Sequence, residues 1–139
     1  MKIAVIDGQG GGIGKVIIEK LSKELGKKVE IIALGTNSLA TSTMIKAGAH
    51  EGATGENAIV FNANRVDIII GTVAILAANA ILGELSPNMA QAIGSSSAKK
   101  VLIPLNRCGI EVIGTSDMSL PQLIDELVDK VKQMSKALK

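Results

Sequence analysis

Short apolar runs alternate with helical repeats along the chain. Runs of mostly apolar residues occupy positions 3–6, 29–34, 66–71 and 101–105. Apolar runs of about four to eight residues are typical of parallel strands that are covered on both faces. The segments between them repeat apolar residues every three or four positions, which is typical of amphipathic helices. The pattern therefore predicts strands that alternate with helices.

Weaker patterns complete the set of predicted elements. Strands are predicted at residues 3–6, 29–34, 50–54, 66–71, 101–105 and 110–113. Helices are predicted at residues 13–25, 39–47, 55–64, 73–82 and 87–94. A last helix follows a capping box formed by Ser119 and Gln122, and its apolar stripe extends to Leu138. We expect this stripe to pack against the sheet, although its heptad spacing also fits a coiled coil.

These elements predict an α/β fold, a three-layer doubly wound parallel sheet formed by a single domain over residues 1–139. Right-handed crossovers and a glycine-rich loop after the first strand favour a Rossmann-like sheet with the strand order 3-2-1-4-5-6. Ligands of such sheets bind beyond the carboxyl ends of the strands, where the order reverses. We therefore expect a binding site at that edge.

Five glycines occupy the seven positions from Gly8 to Gly14, between the first strand and the first helix. A strand, a glycine-rich turn and a helix in this order form a phosphate cradle, because the helix presents free N–H groups to an anion. The alternative is a turn whose glycines only pack the helix on the strand. We predict that a phosphate-bearing small molecule binds this loop.

The spacing of the glycines matches known phosphate loops only in part. Ile13 stands where the third glycine of the dinucleotide pattern G-x-G-x-x-G belongs, and Gln9 and Val16 depart from the P-loop pattern. The best match is G-x-x-x-G-I-G, which spans residues 8–14. That spacing resembles the cofactor loop of short-chain dehydrogenases and reductases, and the resemblance implies NAD or NADP as the cofactor.

Two departures weaken the comparison with a dehydrogenase. Short-chain enzymes use a Tyr-x-x-x-Lys pair, and this chain contains no tyrosine. The acidic residue that binds the ribose in NAD-dependent proteins is also missing where the second strand ends. Thr36 and Asn37 stand there instead, and they are able to bond ribose hydroxyls or to tolerate a 2′-phosphate. Nucleotide binding therefore stays the favoured function, without a choice between the two cofactors.

The predicted topology brings the candidate binding residues to one edge of the sheet. They are Asp7, Gly8, Gln9, Gly10, Gly11, Gly12, Ile13, Gly14, Thr36, Asn37, Gly71, Thr72, Asn106 and Arg107. The carboxylate of Asp7 either fixes the glycine loop through its backbone amides or faces a ligand. The guanidinium of Arg107 either binds a second phosphate or a carboxylate, or is simply solvated.

Candidates for catalysis are fewer. Cys108 is either activated by the neighbouring arginine or a buried, inert thiol. Glu51 and Glu56 are candidates for a base or for ribose binding, although the helix dipole also explains Glu56. His50 is the only histidine, so metal clusters and Ser/His relays have little to build on. No residue is assigned a catalytic role.

Composition narrows the class of partner. Hydrophobic residues make up 47% of the chain and aromatic residues 1%, so the core must consist of aliphatic side chains. The net charge of +2 is too small to indicate nucleic acid. Residues 68–83 carry no charge but are shorter than the ~20 residues of a spanning helix, so we expect no membrane partner. One cysteine and the absence of a signal-peptide pattern predict a cytoplasmic protein.

A wider resemblance covers nearly the whole chain. The stretches VIDGQGGGIGK, LGTN, GATGENA and IPLNRC, which begin at residues 5, 34, 52 and 103, together resemble a family of short bacterial proteins. That family is known only as a domain of unknown function. The resemblance implies a small, single-domain cytoplasmic protein and implies no activity.

Three functional hypotheses follow. The first is a nucleotide or dinucleotide binder that acts as a sensor or a regulatory subunit. The second is a small enzyme that acts on a phosphorylated metabolite, and the third is a structural homo-oligomer without a ligand. Independently of these, the apolar surplus of the predicted helix at 73–82 favours a homodimer or a larger assembly with that helix at the interface.

Overall fold

A parallel five-stranded sheet is the centre of the computed structural model, which describes residues 1–105, 109–115 and 117–137. The strands are β1 (Lys2–Asp7), β2 (Glu30–Gly35), β3 (Glu51–Thr54), β4 (Ile68–Thr72) and β5 (Lys99–Ile103). The helices are α1 (Gly12–Leu25), α2 (Ser38–Lys46), α3 (Glu56–Asn62), α4 (Pro87–Ser95) and α5 (Leu120–Ala137). Short 3-10 helices cover Gly26–Lys28 and Val73–Leu76.

The strand order confirms the predicted fold class. The order is β3-β2-β1-β4-β5, with every neighbouring pair parallel. From β1 the chain first adds strands on one side, β2 and β3, and then on the other side, β4 and β5. The strand order therefore reverses at β1, and a ligand crevice is expected at its carboxyl end. Ile3 is aligned with Ile31 of β2 and with Ile68 of β4, so the three strands end at nearly the same height.

Alternate residues of each strand enter two separate cores, one on each face of the sheet. Ile3 and Val5 pack with α1, α2 and α5. Ala4 and Ile6 pack with α3 and α4. Both cores consist of aliphatic side chains and methionine, and the one aromatic residue, Phe61, lies 53% exposed with the guanidinium of Arg65 over its ring. The three-layer arrangement is therefore the predicted one.

The predicted sixth strand at residues 110–113 is wrong. Within the described ranges, the sheet ends at β5, and these residues lie between two glycines with positive φ, Gly109 at 73° and Gly114 at 89°. The chain turns at both glycines, and the residues between them do not pair along β5. Ile113 is 94% exposed, so this apolar side chain is not buried in a sheet.

The predicted helix at residues 73–82 is also wrong. The hydroxyl of Thr72 accepts a hydrogen bond from the amide of Ala74, and the 3-10 helix that starts there ends at Leu76. Residues 77–85, which we call the strap, then form a series of turns. Three residues of the strap other than glycine have positive φ, namely Asn79 at 67°, Ile81 at 57° and Leu82 at 53°. An interface built on an apolar helix at this place is therefore excluded.

The other predicted elements are confirmed, with bounds that shift by a few residues. Asn37 caps α2, since its side chain accepts from the amide of Ala40, and Ser86 caps α4. The box between Ser119 and Gln122 is formed in both directions. Val60 of α3 is 40% exposed and does not enter the core. Leu138 lies outside the described residues, and no helix within them is long and apolar enough to cross a membrane.

Candidate functional site

The carboxylate of Asp7, at the end of β1, holds the glycine loop in place. Its Oδ1 accepts a hydrogen bond of 2.8 Å from the amide of Gly8, and its Oδ2 accepts one of 2.8 Å from the amide of Gly14. Gly14 is the third residue of α1, so the same carboxylate caps the helix. Of the two roles considered for Asp7, the geometry favours fixing the loop.

Burial dominates the electrostatics of Asp7. Desolvation raises the pKa of this carboxyl, while the hydrogen bonds from the Gly14 and Gly8 amides act in the opposite direction. The nearby charge of Glu84 raises the pKa further. Both oxygens of Asp7 already accept backbone hydrogen bonds, which suits a structural role better than proton transfer.

Three of the five loop glycines are explained by packing. A Cβ on Gly8 would lie 2.7 Å from the Thr36 hydroxyl oxygen. Gly11 has φ of 72°, and a Cβ there would lie 2.9 Å from the backbone of Ala40. A Cβ on Gly14 would contact the side chain of Met44. These glycines allow α1 to approach β1, β2 and α2 closely. This is the role that they would have in a turn that only packs the helix on the strand.

Gly10 and Gly12 have no such explanation. Both are exposed, and a Cβ added to either would have no atom within 4 Å. Neither has the positive φ that would require glycine. They lie at the amino end of α1, where helix N–H groups point outward. Open space above these two backbone positions is what a bound anion needs.

Glu84 is the residue that sequence analysis missed. Its Oε1 accepts three hydrogen bonds: 3.0 Å from the amide of Gln9, 2.6 Å from the Thr36 hydroxyl and 2.7 Å from the side-chain amide of Asn37. The Thr36 bond, followed by the Gln9 amide, lowers the pKa of Glu84. The two side chains predicted to bind ribose are therefore bonded to a carboxylate of the protein itself.

The strap carries this carboxylate across the end of β1. The Cγ2 atom of Ile81 lies 3.1 Å from the position that a Cβ of Gly8 would take. Positive φ at a β-branched residue is rare and costs roughly 1–3 kcal/mol, and Leu82 and Gln9 adopt similar conformations. Leu82 is 93% exposed, so burial of its side chain offsets little of that strain.

A crevice of about 320 Å³ lies on the β4 side of the strap. Its lining residues are Asp7, Gly8, Gln9, Ile13, Thr72, Ala74, Ile81, Leu82 and Leu105. This is the edge of the sheet that topology predicts for a ligand. Thr72 lines the crevice, whereas Gly71 is explained by packing, because its Cβ would lie 3.0 Å from the carbonyl oxygen of Ile6.

The remaining candidates are not part of this crevice. Asn106, Arg107 and Cys108 lie outside the described residues. Glu51 starts β3, and Glu56 starts α3, which the helix dipole explains. The Nδ1 atom of His50 accepts a hydrogen bond from the amide of Ile31, which is a structural role. Among the described residues, no group of three or more His, Cys, Asp or Glu side chains is placed to hold a metal ion.

Topology and crevice together define an α/β protein of Rossmann-like architecture with one crevice at the switch point of its sheet. The chain belongs to the family described as "Domain of unknown function (DUF3842)", whose model matches residues 2–136. The resemblance to an uncharacterised family is thereby confirmed, whereas the likeness of the loop to short-chain dehydrogenases is not. No curated protein matches the chain.

Two solved structures resemble this fold. A dodecameric FMN-dependent UbiX-like decarboxylase from Escherichia coli O157:H7 has a TM-score of 0.52 at 14% identity, over 96% of this chain and 94% of that chain. A universal stress protein in complex with cAMP has a TM-score of 0.41 at 16% identity, over 73% of this chain and 95% of that chain. At these identities the first similarity shows the fold alone, and the second carries no argument.

Proposed function

We propose that the protein binds a phosphate-bearing ligand of nucleotide size at the glycine loop, with the phosphate against the backbone at Gly10 and Gly12. The supporting observation is the open space at these two glycines, which the packing of the fold does not require. The amino end of α1 supplies amides and a favourable dipole for an anion. A role as a sensor or a regulatory subunit fits a site without assigned catalytic groups.

The size of the crevice favours a mononucleotide over a dinucleotide. About 320 Å³ is at the lower end of the roughly 300–1,000 Å³ of small-molecule sites. NAD or NADP, which the resemblance of the loop implied, would extend from the crevice over β1 towards Thr36 and Asn37, where Glu84 is bonded. The proposal therefore ranks AMP-sized ligands ahead of NAD and NADP.

An enzyme that acts on a phosphorylated metabolite is the weaker alternative. Among the described residues, the ionisable group that lines the crevice is Asp7, and both of its oxygens accept backbone hydrogen bonds. A general base needs a free acceptor within reach of the proton that it removes. Binding without turnover is therefore favoured over catalysis at this crevice.

A thermal-shift screen tests the proposal. AMP, ATP, FMN, NAD, NADP and sugar phosphates should be compared with the corresponding nucleosides and free sugars. A ligand at about 100 times its dissociation constant adds about 2.7 kcal/mol of stability, which corresponds to a rise in Tm of about 10 °C. We expect such a shift for a phosphate-bearing compound and not for its dephosphorylated partner. Equal shifts for both members of a pair, or none at millimolar concentration, would contradict the proposal.

A homo-oligomer is the second proposal, and it rests on exposed apolar side chains. Leu82 and Ile113 are 93% and 94% exposed, and an interface between copies of the chain would remove such side chains from water. The UbiX-like decarboxylase of similar fold is described as dodecameric. We expect light scattering at micromolar protein to give a multiple of 14.3 kDa. A mass of one chain at every concentration would refute this proposal.

A further inference from the structure

We propose that Glu84 is a latch that holds the strap across the end of β1, and that the closed strap sets the size of the ligand. In the latched state the crevice admits a mononucleotide, and a dinucleotide binds only when the strap opens. The size selection rests on the proposed ligand site. The latch itself does not depend on it.

The contacts of Glu84 support the latch. Its carboxylate joins three chain segments, because the Gln9 amide belongs to the glycine loop whereas Thr36 and Asn37 follow β2. Within the described residues, every hydrogen bond from the strap to these two segments is made by this one side chain. The other bonds of the strap are internal or to its own amino-terminal turn. Removal of the carboxylate therefore releases the strap from the loop.

The position of the strap explains the selection by size. Ile81 lies against Gly8 at the end of β1, Glu84 lies on the β2 side, and the crevice lies on the β4 side. A dinucleotide that spans the carboxyl edge of such a sheet passes over the strand at which the order reverses. The strap occupies that path. A ligand confined to the crevice does not need to cross it.

The backbone of the strap favours opening once the latch is lost. Asn79, Ile81 and Leu82 are held in left-handed conformations that L-residues adopt rarely, and such conformations persist only where the surroundings impose them. Leu85, which is fully buried, anchors the carboxyl end of the strap. The strap is thus anchored by packing at Leu85 and at the buried Ile75 just before it, by the partly buried Ile81, and by Glu84 over the glycine loop. We expect the segment between the two ends to lift from β1 when the carboxylate is removed.

Hydrogen exchange of the ligand-free protein tests the latch. In the Glu84→Ala variant, the strap amides of Asn79, Gly83 and Leu85, which are bonded within the strap, should exchange at least about tenfold faster. The Glu111→Ala variant is the matched control, since it removes an exposed carboxylate that makes no hydrogen bond with the described residues. Thr36→Val removes one donor with little change in shape and should give a smaller acceleration. Unchanged strap exchange in Glu84→Ala would overturn the latch.

Binding of AMP and NAD tests the selection by size. We expect Glu84→Ala to raise the affinity for NAD at least about tenfold, because the competent state becomes more populated, and to leave the affinity for AMP unchanged or lower, because Ile81 and Leu82 of the strap line the crevice. If the affinities for both ligands rise equally, Glu84 hinders any ligand regardless of its size. If both affinities fall equally, Glu84 contacts the ligand directly. Either result overturns the size selection. If neither nucleotide binds any variant, the size selection is overturned, while the thermal-shift screen still decides the proposed function and hydrogen exchange still decides the latch.

Discussion

Replacing Gly12 with valine is expected to lower the affinity for a phosphate-bearing ligand by about 100-fold or more. The valine side chain would fill the open space above the first residue of α1 and keep the anion from the backbone amides. Hydrogen bonds to charged groups contribute about 1.5–3 kcal/mol each, and loss of about 2.7 kcal/mol corresponds to 100-fold in affinity. Titration calorimetry with the ligand that the thermal-shift screen identifies measures the change.

The fold should tolerate this substitution. A Cβ at Gly12 has no atom within 4 Å, and valine differs from glycine in helix propensity by less than about 1 kcal/mol. Gly94→Val is the matched control, because Gly94 lies in α4 with its nearest neighbouring atom at 4.0 Å. We expect the control to bind the ligand with the affinity of the parent. Unchanged affinity in Gly12→Val would move the site away from the glycine loop.

Replacing Asp7 with alanine should destabilise the protein by about 2–4 kcal/mol. The substitution leaves the amides of Gly8 and Gly14 without their acceptor, and each unsatisfied buried donor costs about 1–3 kcal/mol. Relief of the desolvated charge offsets part of this loss. Asp67→Ala is the control, since its carboxylate accepts a single exposed bond from the amide of Lys2 and should cost less than about 1 kcal/mol. Urea unfolding followed by circular dichroism compares the two.

The effect of Asp7→Ala should grow as the pH falls. Burial raises the pKa of Asp7 above its usual value of 3.8, so the folded state favours the protonated acid. The stability that this group contributes is therefore fully present below 3.8 and decreases as the pH rises through the raised folded pKa. The parent and the variant should differ more in unfolding free energy at acidic than at neutral pH. The opposite trend would show that the amide bonds, and not burial, dominate the pKa.

Most of the fold was predictable because its elements carry local signals. The buried strands are short apolar runs, and the caps at Asn37, Ser86 and Ser119 are polar residues placed one turn before apolar repeats. Once strands and helices alternate, the handedness of crossovers leaves few strand orders to choose from. The confirmed order 3-2-1-4-5 therefore follows from information that lies within each segment.

The two incorrect elements failed because apolar character alone does not distinguish helix, strand and covering loop. Residues 73–82 are apolar because several of them cover a crevice and a strand end, and their backbone is made of turns. Residues 110–113 combine β-branched side chains with turns at Gly109 and Gly114, and the turns prevail. Turns of this kind leave no periodic pattern in the sequence from which they could be predicted.

The candidate site was predictable in its place but not in its contacts. Topology puts the glycine loop, Thr36 and Thr72 at one edge of the sheet, and the structure has them there. The bond between Gln9 and Glu84 joins residues 75 positions apart, through a segment predicted to be helical. No spacing rule connects such a pair. The packing roles of Gly8, Gly11 and Gly14 likewise depend on neighbours in other elements.

Because both cores are built without aromatic side chains, the folded protein absorbs very little light in the near ultraviolet. It contains no tryptophan or tyrosine, and its single phenylalanine, Phe61, is a weak chromophore at the surface. A flavin or a reduced nicotinamide retained during purification would therefore dominate the absorption and emission spectra. The absorption spectrum of the freshly isolated protein is thus a direct readout of a retained nucleotide or flavin, before any ligand is added.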